Sequence, residues 1–153
     1  MKDAPDTPQE LKARALRLLA RREHTRAELA RKLAPRAESR EALEILLDEL
    51  ERRKQLSDQR YAELRAHVLS RKFGAARIRQ DLRAKGIAAD AAERIAAESA
   101  AGDYRRAREI LARRYRLPAL TPQERAKRSR FLQGRGFSHD VIHRLLGRDA
   151  GEE

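Results

Sequence analysis

LRAKGIAADAAERI (residues 82–95) and LQGRGFSHDVIHRL (132–145) lie on one another without a gap at an offset of 50. Leu82 meets Leu132, Gly86 meets Gly136, Asp90 meets Asp140 and Arg94 meets Arg144, with Ile87 matched by Phe137 and Ile95 by Leu145. Each stretch reads as the end of one helix, a glycine that closes its last turn in the left-handed conformation, and the start of the next helix. A second overlay, at offset 49, sets Arg22, Leu29 and Leu33 on Arg71, Ile78 and Leu82, and Thr25 on Gly74. Offsets of 49 and 50 in a chain of 153 residues imply three copies of one unit.

Outward from these stretches, the same helical period runs through almost the whole chain. Leu43, Leu46, Leu47 and Leu50 form one stripe of a 3.6-residue repeat, and no segment sustains a two-residue alternation. Thr25 with Glu28, and Thr121 with Pro122 and Glu124, read as capping boxes; Ser39, Ser57 and Ser138 read as simpler N-caps. These marks predict nine helices, at 9–22, 26–33, 40–54, 58–72, 75–84, 89–101, 103–116, 122–134 and 139–147. Composition agrees, because Ala, Leu, Arg and Glu dominate while there are two Val and no Trp. The cores must be thin. Against 39% charged residues there are 27 Ala and only 31 Leu, Ile, Val and Phe combined, close to the level at which a chain stays unfolded. The expected fold is all-α, an elongated, curved tandem array of three three-helix, helix-turn-helix-like repeats, since each repeat buries little alone. Its parts are a flexible N-terminal tail (1–8), repeats at 9–56, 57–101 and 102–147, and a C-terminal tail (148–153).

Helix-turn-helix DNA readers share the long–short–third arrangement, but the third helix of repeat two, ADAAERIAAESAA (89–101), carries one base and three acids. It is not built to read base edges. The absence of Cys excludes disulfides, thiol catalysis and Cys-ligated zinc. No apolar run approaches the ~18 residues of a membrane span, and MKDAPDTPQE at the start lacks a signal-peptide core, so a cytoplasmic location is expected. HDVIH (139–143) mimics a two-histidine zinc motif, yet its acid is Asp where the protease motif has Glu, and no third ligand is evident. Helix capping by Ser138 and burial of Val141, Ile142, Leu145 and Leu146 explain that segment better. His24 and His67 are isolated and are expected at the surface or its boundary. The seven Gly stand singly, GAAR (74–77) lacks the Lys-Ser/Thr of a phosphate loop, and no Ser, His and acid set emerges from spacing. No metal, cofactor or catalysis is expected.

Charge is informative once divided by position. The formal net charge is +12, distributed as +3 over residues 1–56, +3 over 57–102, +8 over 103–135 and −2 over 136–153. The +8 segment has 11 bases and 3 acids. It contains Arg105, Arg106, Arg108, Arg113, Arg114 and Arg116, then Arg125, Lys127, Arg128, Arg130 and Arg135. Such density is self-repelling unless a polyanion or an acidic protein surface lies close. A solvated basic face reflecting the 29 Arg to 7 Lys bias is the plainer reading, but a bias in base composition does not explain clustering. In sequence, Tyr61, Phe73, Tyr104, Tyr115, Phe131 and Phe137 do not interleave with these bases and are expected in the core. Contacts to nucleic acid would then be to phosphates, insensitive to sequence and sensitive to salt.

LSDQRYAELRAHVLSRKFGAARIRQDLRAKGI (56–87), FLQGRGFSHDVIHRLL (131–146) and RALRLLARREHTRAELARKL (14–33) together resemble the RecX family of bacterial regulatory proteins. The resemblance spans about residues 9–147, with one departure: Ser57 and Asp58 stand where many members have two acids after the leucine. The resemblance implies a non-enzymatic regulator that binds the RecA nucleoprotein filament on single-stranded DNA. It implies inhibition of recombinase, ATPase and coprotease activities, and so modulation of DNA repair and the SOS response. The partners expected are RecA and single-stranded DNA, with duplex DNA a further candidate, all without sequence specificity, and the protein is expected to be a monomer. The surface expected to meet the filament or its phosphates comprises Arg105, Arg108, Arg113, Arg114, Arg116, Arg125, Lys127, Arg128, Arg130 and Arg135. A general nucleoid-type protein held by phosphate contacts is the alternative.

Overall fold

The computed structural model describes residues 4–147. Among them it contains nine α-helices and no strand: α1 (Pro8–Arg21), α2 (Arg26–Leu33), α3 (Arg40–Arg52), α4 (Asp58–Leu69), α5 (Ala75–Ala84), α6 (Ala89–Ala100), α7 (Asp103–Arg114), α8 (Pro122–Gly134) and α9 (His139–Leu146). A single 3-10 turn, Ala34–Arg36, follows α2. The nine expected helices are present, several ending two or three residues early. At α3 the cause is Lys54, a non-glycine residue at φ +62° that closes the helix after Arg52. The tail expected at 148–153 lies outside the described residues.

By packing, the chain divides into two compact units, one running to Glu63 and including Ala84–Ile87, the other Leu64–Arg83 with the chain from Ala88 onward. Helix α4 thus contributes to both. In the first unit, Leu11 and Ala15 of α1, Leu29 and Leu33 of α2, and Leu43, Leu46, Leu47 and Leu50 of α3 form one core with Leu56. In the second, Ala107, Leu132, Phe137, Val141 and Ile142 make the core joining α7, α8 and α9, with Ile110, Leu111, Phe131, Leu145 and Leu146 packed against it.

Two departures from sequence expectation occur in the first unit. Asp6, Thr7 and Pro8, within the expected N-terminal tail, are held in place. Asp6 is 4% exposed; its carboxylate accepts from Arg14 Nε (2.8 Å) and Arg36 Nη2 (2.7 Å), and its amide donates to the Arg36 carbonyl (2.8 Å). Bonds from Arg14, then Arg36, hold that carboxyl below its ordinary range. Thr7 then caps α1 by accepting from Glu10 N. His24 is not at the surface either: it is 1% exposed, with Nδ1 3.0 Å from the Arg22 carbonyl and Nε2 3.1 Å from Lys32 Nζ. Paired ring nitrogens allow its burial in the turn between α1 and α2.

The capping expectations divide. At α8 the full box forms, with Thr121 Oγ1 accepting from Glu124 N and Glu124 Oε2 accepting from Thr121 N. At α2 only half forms. Thr25 Oγ1 accepts from Glu28 N, but the Glu28 carboxylate is taken by the Arg22 fork (2.9 and 2.7 Å), which pulls its pKa down to about 2.

The residues singled out by the overlays build a recurring joint. In the first unit, Thr25 Oγ1 donates to the Lys85 carbonyl (2.9 Å), Asp58 Oδ1 accepts from the Arg26 amide at the start of α2 (2.7 Å), and Gly86 sits at φ +93° so close that a Cβ would be 2.6 Å from Ala27 Cβ. In the second, the Gly74 amide donates to the Arg135 carbonyl (2.8 Å), the Ala76 amide to the Gly136 carbonyl (3.2 Å), and Asp103 Oδ2 accepts from Ala75 N at the start of α5 (3.0 Å). Gly136, at φ +90°, would place a Cβ 2.5 Å from Arg77 Cβ. Both joints follow one rule: the N-terminus of a repeat's second helix is covered by the glycine turn of the next repeat and capped by the Asp that opens that repeat's first helix.

Candidate partner-binding surface

Helix α7 buries Asp103 and Ala107 and half-buries Ile110 and Leu111, which turns Arg105, Arg108, Arg113 and Arg114 outward. Helix α8 buries Leu132 and half-buries Arg125, Arg128 and Phe131, leaving Lys127 and Arg130 exposed; Arg116 is exposed in the connecting loop and Arg135 is half-buried after α8. Arg106, from the same basic run, points inward to Asp103 Oδ1 (2.7 Å) and to Ser99, where it bonds Oγ (3.1 Å) and the carbonyl.

The first unit differs in how many of its bases are paired. There several bases are matched: Arg22 with Glu28, Arg60 with Glu23, and Arg26 with Glu44, Asp48 and Glu51 at 2.6, 2.8 and 3.0 Å. Among the described residues, none of Arg105, Arg108, Arg113, Arg114, Arg116, Lys127 or Arg130 pairs with a carboxylate. Two of the three acids in the segment are consumed locally. Asp103 serves Arg106 and the α5 amide, and Glu124 accepts from the amides of Leu120 (2.7 Å) and Thr121 (3.3 Å), which hold its carboxyl below its ordinary range. The +8 therefore remains a field directed at solvent.

Two concavities organise part of this field. A groove of about 340 Å³ is floored by Ile110 and Phe131 and lined by Arg71, Lys72, Arg113, Arg114 and Arg135, with no carboxylate. Arg71 and Lys72 escape a reading based on the 103–135 cluster, because they arrive from the turn after α4; their signal is RKFG, the run ahead of the joint glycine Gly74. A second groove, of about 550 Å³, lies along the α7–α8 loop between Tyr115, Leu117, Pro118 and Leu120 and the cations Arg114, Arg116, Lys127 and Arg128, with Glu124 beside them. Arg105, Arg108, Arg125 and Arg130 line neither.

The expectation that aromatics do not interleave with the bases fails in space. Arg77 lies over the Phe73 ring (4.9 Å), Arg135 over Phe73 and Phe131 (5.6 and 5.1 Å), Arg114 over Phe131 (5.4 Å) and Arg128 over Tyr115 (4.4 Å). Tyr115 meets Phe131 edge-on, with ring centroids 6.1 Å apart. Phe73 and Phe131 are far apart in sequence, and the Gly74–Arg135 joint brings them to one place. The rings are half-buried, so they fix the guanidinium planes while keeping one edge in the core. Arg128 also donates to the Leu117 carbonyl (2.6 Å), making it a brace of the loop as well as a charge.

The two-histidine motif gains no third ligand among the described residues. His139 and His143 ring centroids are 6.2 Å apart, and among the described residues no three His, Asp or Glu side chains converge as a metal site would require. No helix among those residues is long and apolar enough to cross a membrane.

Comparison with known proteins places these features in a family. Three family models match in tandem: the first three-helix domain of RecX at residues 12–50, the second at 57–94 and the third at 102–146. A regulatory protein RecX from Ralstonia nicotianae is 45% identical over 147 residues, covering 95% of this chain and 92% of that one. One from Herbaspirillum seropedicae is 44% identical, covering 90% of each. The crystal structure of RecX from Lactobacillus salivarius superposes with a TM-score of 0.78 at 23% identity, covering 91% of this chain and 94% of that one, which is a likeness of fold. Three tandem three-helix domains, matched in order and over nearly the full length of the relatives, make this chain a member of the RecX family of regulatory proteins.

Proposed function

We propose that the protein binds the RecA nucleoprotein filament on single-stranded DNA, restrains its extension, and so inhibits recombinase, ATPase and coprotease activities and modulates DNA repair and the SOS response. It acts in the cytoplasm as a monomer, without a cofactor or chemistry of its own. The observation that carries this reading is the cationic face of α7, the α7–α8 loop and α8, where Arg105, Arg108, Arg113, Arg114, Arg116, Lys127 and Arg130 pair with no carboxylate among the described residues. A filament offers both acidic protein surface and phosphates, and a face of this kind serves either.

The test is RecA ATPase and filament length on single strands, titrated with the protein. Inhibition is expected, and an unchanged ATPase with equal DNA binding in the presence and absence of RecA would overturn the reading. Inhibition at far fewer copies than RecA would mark capping of the growing end, and stoichiometric inhibition would mark binding along the filament. R113E/R114E/R130E is expected to weaken filament binding at least about tenfold at low salt while leaving the fold intact, since all three side chains are exposed and form no ion pair. Arg128 is left out of that variant because it braces the loop. The carboxylate-free groove gives the nucleoid-type alternative its one specific support; under it, R113E/R114E/R130E would lose DNA affinity in equal measure with or without RecA.

A further inference from the structure

The α7–α8 loop holds the most exposed large apolar side chains of the described residues, Leu120 at 79% and Leu117 at 77%. Their exposure is not slackness. Arg128 donates to the Leu117 carbonyl and stacks on Tyr115, Glu124 accepts from the Leu120 amide, and the complete capping box fixes Thr121. The loop is pre-organised to present two leucines to solvent.

The repeat rule shows what this place is. Thr121 is the N-cap of the third repeat's second helix, the counterpart of Thr25 and Gly74. In the first two repeats that position is covered by the next repeat's glycine turn and an incoming Asp, and the residue just before it, His24 or Phe73, is buried or half-buried. Here the residue just before it is Leu120, which is exposed. The rim carries Arg114, Arg116, Lys127 and Arg128 against a single acid, Glu124, whose carboxylate is already spent on backbone amides. Residues 148–153, RDAGEE, carry acids but no apolar side chain larger than that of Ala.

We infer that Leu117 and Leu120, with the cationic rim around them, form a protein-docking surface for an acidic segment bearing large apolar side chains, seated where a further repeat would stack. Nucleic acid is the poorer fit, since exposed leucines contribute nothing to phosphate contacts, whereas the Phe131-floored groove has five cations and no acid. The inference rests on the filament reading, and divides the basic face into one part that holds protein and another that holds polyanion.

The experiment compares the full chain with L117S/L120S in two assays, inhibition of RecA ATPase on single strands and affinity for an oligothymidine strand without RecA. Both leucines are exposed, so an unchanged unfolding temperature is expected. The expected result is inhibition weakened at least about tenfold with unchanged affinity for the strand. Equal inhibition by L117S/L120S and wild type overturns the inference and leaves the filament reading standing. A matched loss in both assays overturns it in favour of a nucleic-acid surface, and concentration-dependent self-association abolished by the substitutions overturns it in favour of a second copy. If the wild type itself fails to inhibit, the filament reading falls and the inference falls with it.

Discussion

Gly134 and Gly136 stand two residues apart and ask opposite things of a side chain. Gly134 ends α8 with nothing within 4 Å of a would-be Cβ, whereas Gly136 has φ +90° and would drive a Cβ to 2.5 Å from Arg77 Cβ. G136A should therefore cost about 2 kcal/mol or more and lower the thermal midpoint by several degrees, while G134A should be neutral or stabilise by up to ~1 kcal/mol. Thermal unfolding followed by circular dichroism checks both, and equal effects would show that the joint is not tightly packed at Gly136. Single residues were unevenly legible. Gly86 and Gly136 announce themselves as helix closers by following a helical run, but His24 does not announce its burial, because its two hydrogen-bond partners, the Arg22 carbonyl and Lys32, make sense of it only once the turn is folded.

Helices were read well because their stripes and caps are local. Ser39, Ser57 and Ser138 each accept from an amide three residues on, as their positions predict. What could not be read is capping from a distance. Asp58 looks like the first acid of α4 and Asp103 like the first of α7, each favourable at a helix start, yet both side chains reach back 32 and 28 residues to cap α2 and α5. Their environments differ. Asp103 is 3% exposed and also holds Arg106, whereas Asp58 is half-buried. D103A should cost about 2–4 kcal/mol by stranding the Ala75 amide and the Arg106 guanidinium, and D58A only about 1 kcal/mol. Urea unfolding would check the order, and a D58A cost equal to that of D103A would contradict it. The same distance effect explains the candidate site: the third repeat's charge is visible in the chain, while Arg71, Lys72 and Phe73 join it through the Gly74–Arg135 joint.

For the molecule taken whole, three copies were legible and the two compact units were not. Self-similarity records which segments share a pattern, while packing depends on which sides cover one another, and α4 contributes to both units. Charge behaves similarly: its division along the chain is arithmetic, but which bases stay unmatched depends on where Asp103 and Glu124 spend their carboxylates. Affinity for single-stranded DNA should fall linearly on a log–log plot against salt, and R113E/R114E/R130E should flatten that slope by about 2, at ~0.7 per lost phosphate contact. Fluorescence anisotropy over a salt series measures this, and parallel lines would remove these three arginines from the phosphate contacts. The second joint has two main-chain bonds, an amide of Gly74 on a carbonyl of Arg135 and an amide of Ala76 on a carbonyl of Gly136, and the carboxylate that completes each joint, Asp58 or Asp103, sits at the same place, the start of its repeat's first helix. Main-chain groups are inherited unchanged whenever a stretch of gene is duplicated. A new copy therefore arrives already able to clasp its predecessor, and mutation is free to diversify its outer side chains, which is how one repeat can carry a network such as Arg26 with Glu44, Asp48 and Glu51 and another a bare cationic face.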